Sequence, residues 1–183
     1  MGQLTVFGGH GFVGSEFVRQ NPSVTANKRD SYIPDYPNIL NFISTTHNYN
    51  VYDDSHLDID TNLKVLVDIL DTARFLYGKD VVFNQISSWF VYGPTDCPAR
   101  EDSCCHPKGF YSITKHAAEQ LLASYCETFE MNYRILRLSN VIGDGDKKIS
   151  RKKNALQYMI SEVAKGNDID YLYQGESHRD YIE

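Results

Sequence analysis

The chain has 183 residues, carries a net charge of −6 at pH 7 and is 42% apolar. This length suffices for one domain with a sizeable core, and the acidic balance argues against a nucleic-acid partner. The four cysteines form no Cys-x-x-Cys pair, the N-terminal apolar run is short, and no segment reaches membrane-spanning length, so we predict a cytoplasmic protein with reduced thiols, no metal site and no membrane partner.

The first predicted element is a buried strand over the apolar run Leu4–Phe7. Glycines follow at Gly8, Gly11 and Gly14, and apolar residues at helical spacing predict a helix over Phe12–Gln20. A strand that turns through glycines into a helix gathers backbone N–H groups and the positive helix end, which favours a pyrophosphate. Glycines at this spacing also occur in ordinary turns, but the strand–turn–helix context favours nucleotide binding.

Strand and helix patterns alternate along the rest of the chain, which is typical of a parallel sheet covered by helices on both faces. We predict further strands over Ser23–Lys28, Ile39–Ser44, Val81–Ser87, Tyr133–Leu138 and Ile169–Tyr173. We predict two long helices over His56–Leu76 and Phe110–Phe129, and a further helix over Asn154–Lys165. The piece from Asp30 to Asn38 contains two prolines and is too short to hold both a helix and a strand.

Tyr111 and Lys115 are four residues apart near the start of a predicted helix, so both lie on one helix face. A tyrosine is a poor base at neutral pH because its reference pKa is about 10. A neighbouring lysine charge, joined by an oxidised nicotinamide ring where one is bound, favours the phenolate and lowers that pKa. Such a phenol can exchange a proton with a sugar or alcohol hydroxyl during hydride transfer. The same spacing is also common in ordinary surface pairs.

Two serines, Ser87 and Ser88, end a predicted strand and precede a polar loop over residues 93–108. In open α/β sheets, ligands bind beyond the carboxyl ends of the strands. A hydroxyl at this position can hydrogen-bond a substrate oxygen and hold it beside the phenol of Tyr111, one loop later. The other interpretation is that Ser88 only caps the end of the strand.

Five motifs occur in the order typical of one enzyme family. They are Gly8-x-x-Gly11-x-x-Gly14, Asn62 in its helix, Ser87-Ser88-x-x-Val91-Tyr92-Gly93, Tyr111-x-x-x-Lys115 and Arg137-Leu-Ser-Asn140-Val141. With them, the chain resembles the extended short-chain dehydrogenase/reductases, in particular the NAD-dependent epimerase/dehydratase family that acts on nucleotide sugars. The resemblance implies a Rossmann-like doubly wound parallel sheet. It also implies a single NAD(P)-binding domain over 1–183, in which 141–183 begins the substrate-binding part.

The resemblance implies roles for individual residues. Tyr111 would be the acid/base, Lys115 would bind the nicotinamide ribose and tune Tyr111, and Ser88 would orient the substrate hydroxyl. Asn140 would lie near the substrate. The cofactor contacts would come from Lys115 and from Gly8, Gly11, Phe12, Val13, Gly14, Arg29, Asp30 and Thr45.

The chain departs from the family pattern in its cofactor and substrate regions. The segment before Ile39 is short, so we expect the adenine side of the cleft to be open. Arg29 suits a 2′-phosphate and Asp30 suits a ribose diol, so we predict NAD or NADP, with NADP slightly favoured. Family members usually continue beyond residue 183, and that continuation supplies much of the nucleotide-sugar site, so we expect a truncated C-terminal substrate part.

Trp89 and Phe90 stand where the family's dehydratases have an Asp-Glu pair, so dehydration would lack its acid and base. We therefore predict a nucleotide-sugar epimerase or reductase that works by hydride transfer. The alternative is a catalytically incompetent dinucleotide-binding protein with a structural or regulatory role. The two long helices would lie side by side, and related enzymes pair these helices across a twofold axis, so we predict a homodimer.

Overall fold

The computed structural model describes residues 3–95, 98–146, 149–169 and 179–182 of the chain. These residues cluster into two compact units, Met1–Leu138 and Ser139–Glu183. The assignment of 141–183 to a substrate-binding part stays a prediction.

A four-stranded parallel sheet forms the centre of the first unit, in the order β1-β2-β3-β4. Its strands are β1 Thr5–Phe7, β2 Asn38–Asn41, β3 Val82–Ser88 and β4 Asn132–Leu138. The helices between them are α1 Phe12–Gln20, α2 Leu57–Ile59, α3 Val65–Tyr77 and α4 Phe110–Thr128. Parallel neighbours require crossover connections, and their presence here confirms the predicted Rossmann-like α/β fold.

The core of the first unit lies between the sheet and helices α3 and α4. Ile39 pairs with Thr5 on one side and with Phe83 on the other, so Ile39, Phe83 and Phe7 share one face of the sheet. Buried residues of α3 and α4 recur at three- and four-residue spacing and cover this face. The buried cluster comprises Phe7, Ile39, Leu66, Ile69, Leu70, Ala73, Val81, Phe83, Ala118, Leu122, Cys126 and Met131.

The strand predicted over Ser23–Lys28 is wrong, because this segment forms only a single parallel bridge between Ala26 and Val6. The Asn27 N–H donates to the Val6 carbonyl at 2.8 Å. The Asn27 side chain then donates to the Ile33 carbonyl at 2.9 Å. Such local side-chain bonds compete with a sheet ladder, so the chain leaves the sheet after one bridge.

The strand predicted over Ile39–Ser44 ends earlier, at Asn41. The side-chain oxygen of Asn41 accepts the N–H of Ile43 at 3.0 Å, which turns the chain away from the ladder. Residues 27–37, all of them described, hold no helix or strand, as their length and prolines indicate.

The helix predicted over His56–Leu76 is confirmed as a nearly continuous helical segment from Leu57 to Tyr77. It contains a π turn at Asp60–Lys64, between α2 and α3. Such wide turns inside helices are rare and occur frequently at functional sites. The segment ends at Gly78, whose φ of +54° stops the helix.

The described residues of the second unit form a short parallel pair and a helix. The pair is formed by β5 Asn140–Val141 and β6 Tyr181–Ile182, and the helix is α5 Ala155–Ala164. Neither short strand follows from the sequence patterns. The strand predicted over Ile169–Tyr173 falls almost wholly on residues 170–178, which lie outside the described ranges. Within the described part of the chain, no helix combines the length and the apolarity that crossing a membrane requires.

Candidate active site

The glycine turn joins β1 to α1 with a close approach of backbone to backbone. Gly8 has a φ of +71°, and the Gly11 N–H donates to the Gly8 carbonyl at 3.0 Å. A Cβ at Gly14 would lie 2.4 Å from that carbonyl oxygen, so the helix packs this closely only with glycine. At Gly11, which is exposed, the nearest atom to a Cβ would be 3.3 Å away. The exposed Gly11 borders the first turn of α1, which includes Phe12 and Val13 and suits an anion.

Arg29 and Asp30 lie in an exposed turn beside the glycine turn. Ala26, three residues before Arg29, pairs with Val6 of β1, and a Cβ at Gly9 would come within 2.5 Å of the Ala26 Cβ. The residues predicted to contact the adenosine ribose and those predicted to hold the pyrophosphate therefore lie at the same end of β1.

Ser88, Tyr111 and Lys115 come together where β3 ends and α4 begins. The Lys115 Nζ donates to the carbonyl of Ile86, in β3, at 2.7 Å. The Tyr111 side chain is hydrogen-bonded to the side chains of Ser88 and Ser44. All three predicted residues are buried, with Lys115 only 2% exposed. The fold therefore brings these three residues together, and their catalytic roles stay a prediction.

Ser88 also has the structural role that the sequence left open. Its Oγ accepts the N–H of Phe90 at 3.3 Å and thereby caps the 3-10 turn Trp89–Tyr92. The ring of Phe90 meets the ring of Tyr111 edge-on, with the centroids 5.9 Å apart. Ser88 and Phe90 thus both border the phenol.

Burial dominates the protonation of the two central groups. Burial raises the pKa of Tyr111, hydrogen bonds from Ser88 and Ser44 act in the opposite direction, and the charge of Asp58 raises it further. Burial lowers the pKa of Lys115 to about 8, against the charge of Glu119. The polypeptide thus favours a protonated phenol, contrary to the expectation that Lys115 lowers the pKa of Tyr111.

A polar network surrounds Thr45, at the carboxyl end of β2. The Thr45 N–H donates to Asn62 Oδ1 at 3.0 Å, and the Thr45 hydroxyl donates to the carboxylate of Asp58. The Asn62 amide donates to the hydroxyl of Thr114, in α4, at 3.0 Å. Asp58 is only 1% exposed and also accepts a bond from Asn50 at 2.9 Å. Asn62 therefore links the π turn, the segment after β2 and α4.

A second buried network lies one helical turn beyond Lys115. The Glu119 carboxylate accepts the Ser87 hydroxyl at 2.5 Å and pairs with Arg137 of β4 at 2.7 Å. This carboxylate raises the pKa of the Arg137 guanidinium through its hydrogen bonds. The guanidinium also lies over the ring of Tyr92, 4.8 Å from its centroid. The network ties β3, β4 and α4 together beside the site.

Sequence reasoning missed Asp58, Asn50 and Glu119 as parts of these networks. Asp58 stands in the Asp-Ile-Asp-Thr-Asn62 stretch that drew attention for its asparagine, and Glu119 stands four residues after Lys115, a spacing that signals one helix face.

Asn140 belongs to the second unit, where its side-chain amide donates to the carbonyl of Asp180 at 3.0 Å. The described residues hold no cluster of three or more metal-ligating side chains.

The sheet order, the glycine turn and the polar groups at the carboxyl ends of the strands define a Rossmann-like α/β protein. The model of one family, described as the NAD dependent epimerase/dehydratase family, matches residues 36–183. The chain belongs to the NAD dependent epimerase/dehydratase family. The glycine turn precedes the matched residues.

Two curated relatives are similar in sequence. The dTDP-4-dehydro-6-deoxyglucose reductase of Escherichia coli is 29% identical over 105 residues, which are 57% of this chain and 33% of the relative. The low-salt glycan biosynthesis protein Agl12 of Haloferax volcanii is 28% identical over 98% of this chain and 68% of the relative. The matches thus span only one third to about two thirds of the relatives' length.

Solved structures share the fold. The UDP-glucose 4-epimerase of Thermotoga maritima, solved with UDP-glucose, superposes with a TM-score of 0.83 at 18% identity. The superposition covers 99% of this chain and 69% of the epimerase, so it includes the glycine turn. The UDP-glucuronic acid 4-epimerase of Bacillus cereus, solved with UDP-glucuronic acid and NAD, has a TM-score of 0.81 at 18% identity and covers 98% of this chain and 68% of that protein.

Proposed function

We propose that this protein is an NAD(P)-dependent enzyme that acts on a nucleotide sugar, as an epimerase or a reductase. The observation that carries the proposal is the joint burial of Ser88, Tyr111 and Lys115 at the carboxyl end of β3. A lysine is seldom buried without a paired carboxylate, and perturbed groups of this kind concentrate at functional sites. Membership of the epimerase/dehydratase family supports the same conclusion.

The residues at the glycine turn fit a dinucleotide. Gly11 is exposed, whereas Gly14 is packed against backbone, so a pyrophosphate can approach the first turn of α1 at Gly11. Lys115 would hold the nicotinamide ribose, and Thr45 would line the same cleft from the end of β2. When bound, the nicotinamide ring accepts and returns the hydride.

The side chains supply the proton chemistry. Tyr111 holds a proton at neutral pH because burial raises its pKa, and in this state it can donate to a sugar carbonyl oxygen. Ser88, hydrogen-bonded to the phenol, would orient that oxygen through its hydroxyl. In the reverse direction the phenolate, whose charge the Lys115 ammonium would stabilise, accepts the proton of the sugar hydroxyl.

The nucleotide-sugar substrate is supported by the relatives, which include a dTDP-sugar reductase and structural neighbours solved with UDP-sugars. Trp89 and Phe90 carry no acid or base at the positions that dehydration would use. Asn140 would contribute to the substrate site. The cofactor would be NAD or NADP, and the exposed Arg29 slightly favours NADP because a guanidinium suits a 2′-phosphate.

We also propose a cytoplasmic homodimer. Apolar side chains remain exposed on the two long helices, among them Phe75 on α3 and Ile113 and Leu121 on α4. Exposed apolar groups of this kind favour a protein–protein interface, and two such helices from each of two subunits would form a four-helix bundle. Light scattering at micromolar concentration is expected to give twice the mass of the chain, and a monomer would contradict this assembly.

Tyr111→Phe tests the function because it removes one oxygen and keeps the ring. Dinucleotide binding can be followed through Trp89, the single tryptophan of the chain, whose emission is quenched by energy transfer to a nearby reduced nicotinamide. We expect binding to be unchanged and turnover of a nucleotide sugar to fall roughly 10²–10⁴-fold, the contribution of a positioned acid/base.

The outcomes separate the two classes of protein. Turnover within twofold of the parent would show that Tyr111 is not the proton-transfer group. If the parent binds the dinucleotide but turns over no nucleotide sugar, the alternative of a binding protein without catalysis would replace the enzyme.

A further inference from the structure

The helix that carries Tyr111 and Lys115 is capped by a residue from a distant part of the chain. The side-chain oxygen of Asn48 accepts the backbone N–H of Ser112 and the hydroxyl of Ser112, each at 3.1 Å. The first N–H groups of a helix have no partner inside the helix, and a side-chain oxygen at this place supplies one. Asn48 thus performs for α4 the task that an N-cap side chain normally performs locally.

The local N-cap residue is Gly109, which has no side chain to offer. Its φ is +91°, and a Cβ there would lie 2.6 Å from both the Cγ and the Oδ1 of Asn48. A side chain at position 109 would therefore be strained and would displace the Asn48 amide. The glycine and the distant asparagine form one arrangement, because the space at Gly109 is what admits Asn48.

The cap acts on the residue next to the phenol. Ser112 follows Tyr111 directly and is fully buried, so the bonds from Asn48 hold the backbone of the turn from which the phenol projects. Asn48 stands three residues after Thr45, which we propose as a cofactor contact. The same loop that would meet the dinucleotide thereby also sets the start of α4.

We propose that Asn48 is a positioning residue for proton transfer at Tyr111. Its side-chain oxygen sets the first turn of α4 so that the phenol stays within hydrogen-bonding reach of Ser88 and of a substrate oxygen. The proposal rests on the proposed function, since it concerns the proton that Tyr111 transfers. Small displacements of an acid/base group are expensive because proton transfer needs hydrogen-bond contact.

The experiment compares Asn48→Ala and Asn48→Asp with the parent and with Thr128→Ala. The aspartate variant keeps an acceptor oxygen at the cap, and Thr128→Ala removes a side-chain bond to Ser124 at the opposite end of the same helix. Hydrogen exchange of the peptide over residues 110–115 reports the cap without any activity. The kcat and KM for the nucleotide sugar, together with the Kd for the dinucleotide, report the chemistry.

We expect Asn48→Ala to speed exchange over residues 110–115 and to lower kcat about tenfold, with KM and the dinucleotide Kd within twofold of the parent. Asn48→Asp is expected to restore most of the exchange protection and most of kcat, and Thr128→Ala is expected to change neither the exchange nor kcat. A variant that speeds exchange but leaves kcat unchanged would show a cap of purely structural value and overturn the proposal. So would an Asn48→Ala protein with unchanged exchange.

Failure of the proposed function looks different. If the parent shows no turnover, or if Tyr111→Phe is as active as the parent, the enzyme assignment fails first and the role of Asn48 falls with it. If the parent is active and sensitive to Tyr111→Phe, only the Asn48 variants decide. Should Asn48→Ala not fold, Gly109→Ala offers a second route, because its Cβ displaces the Asn48 side chain while every capping group stays present.

Discussion

The last two glycines of the turn, Gly11 and Gly14, should separate ligand binding from folding when each receives the same methyl group. In Gly11→Ala the new Cβ lies 3.3 Å from the Gly8 oxygen, which a shift of a few tenths of an ångström relieves. The backbone there, with φ −81° and ψ 176°, is accessible to alanine. Alanine is a poorer N-cap than glycine, but it also reduces the entropy of the unfolded chain, and the two effects of about 0.5–1 kcal/mol offset each other.

Gly14→Ala is a different case, because its Cβ would lie 2.4 Å from the Gly8 oxygen and 3.0 Å from the Gly8 carbon. The helix would have to move away from the turn, and overpacking of this kind costs about 1–3 kcal/mol. In a chain of this size each kcal/mol lowers Tm by roughly 2–4 °C. We therefore expect a drop of several degrees in Gly14→Ala and almost none in Gly11→Ala.

Gly11→Ala should weaken dinucleotide binding although it hardly changes stability, since its methyl group would stand in the space that we assign to the pyrophosphate. A tenfold or larger rise in the dinucleotide Kd, equivalent to about 1.4 kcal/mol, is expected by calorimetry. Thermal unfolding of the same samples gives the stability. If Gly11→Ala binds as tightly as the parent, the pyrophosphate does not lie at this turn, and the assignment of the cofactor site is refuted.

Three further predictions concern charge. Because folding lowers the pKa of Lys115 from 10.5 to about 8, the unfolded chain binds the additional proton between these pH values, and stability rises with pH there. Urea titrations from pH 8 to 10.5 should therefore show a rise in the free energy of unfolding that is about 3 kcal/mol larger in the parent than in Lys115→Met. Parallel curves for the two proteins would contradict the burial of a charged lysine. Glu119→Ala leaves the Arg137 guanidinium without its carboxylate and should lower the free energy of unfolding by roughly 3 kcal/mol, more than Glu119→Gln, which keeps an acceptor oxygen. Arg29→Ala should weaken NADP far more than NAD in parallel binding titrations, and an equal loss for both would mean that Arg29 does not face the ribose.

The sequence predicts those parts of the fold that depend on local periodicity. The glycine turn, α1 and the long helices follow from spacing alone, and the Tyr111–Lys115 interval predicts a shared helix face because the helical repeat is fixed. The strand predicted over Ser23–Lys28 was wrong because the Asn27 side chain forms hydrogen bonds with a later loop. No local sequence pattern reveals such bonds. Propensity gives way to such tertiary contacts.

The grouping of Ser88, Tyr111 and Lys115 was predictable from the sequence, but the residues that support this grouping were not. Asn48 and Ser112 are 64 positions apart, and no spacing rule connects residues so distant. The raised pKa of Tyr111 follows from burial, which cannot be read from a neighbouring lysine. The π turn around Asn62 likewise arises from bonds to two other segments, one after β2 and one in α4.

The short connection over residues 27–37 has a consequence for how long a dinucleotide would stay bound. These described residues hold no strand or helix beyond the single Ala26 bridge, so in the proposed enzyme the adenosine end of a bound dinucleotide would meet an exposed turn. An epimerase returns the hydride to the sugar from which it came, so it gains from a cofactor that never leaves. A reductase must discharge the oxidised form after every cycle. A loosely held adenosine would accelerate that exchange, so, under the proposed function, an open flank would suit a cofactor that is consumed and replaced like a second substrate.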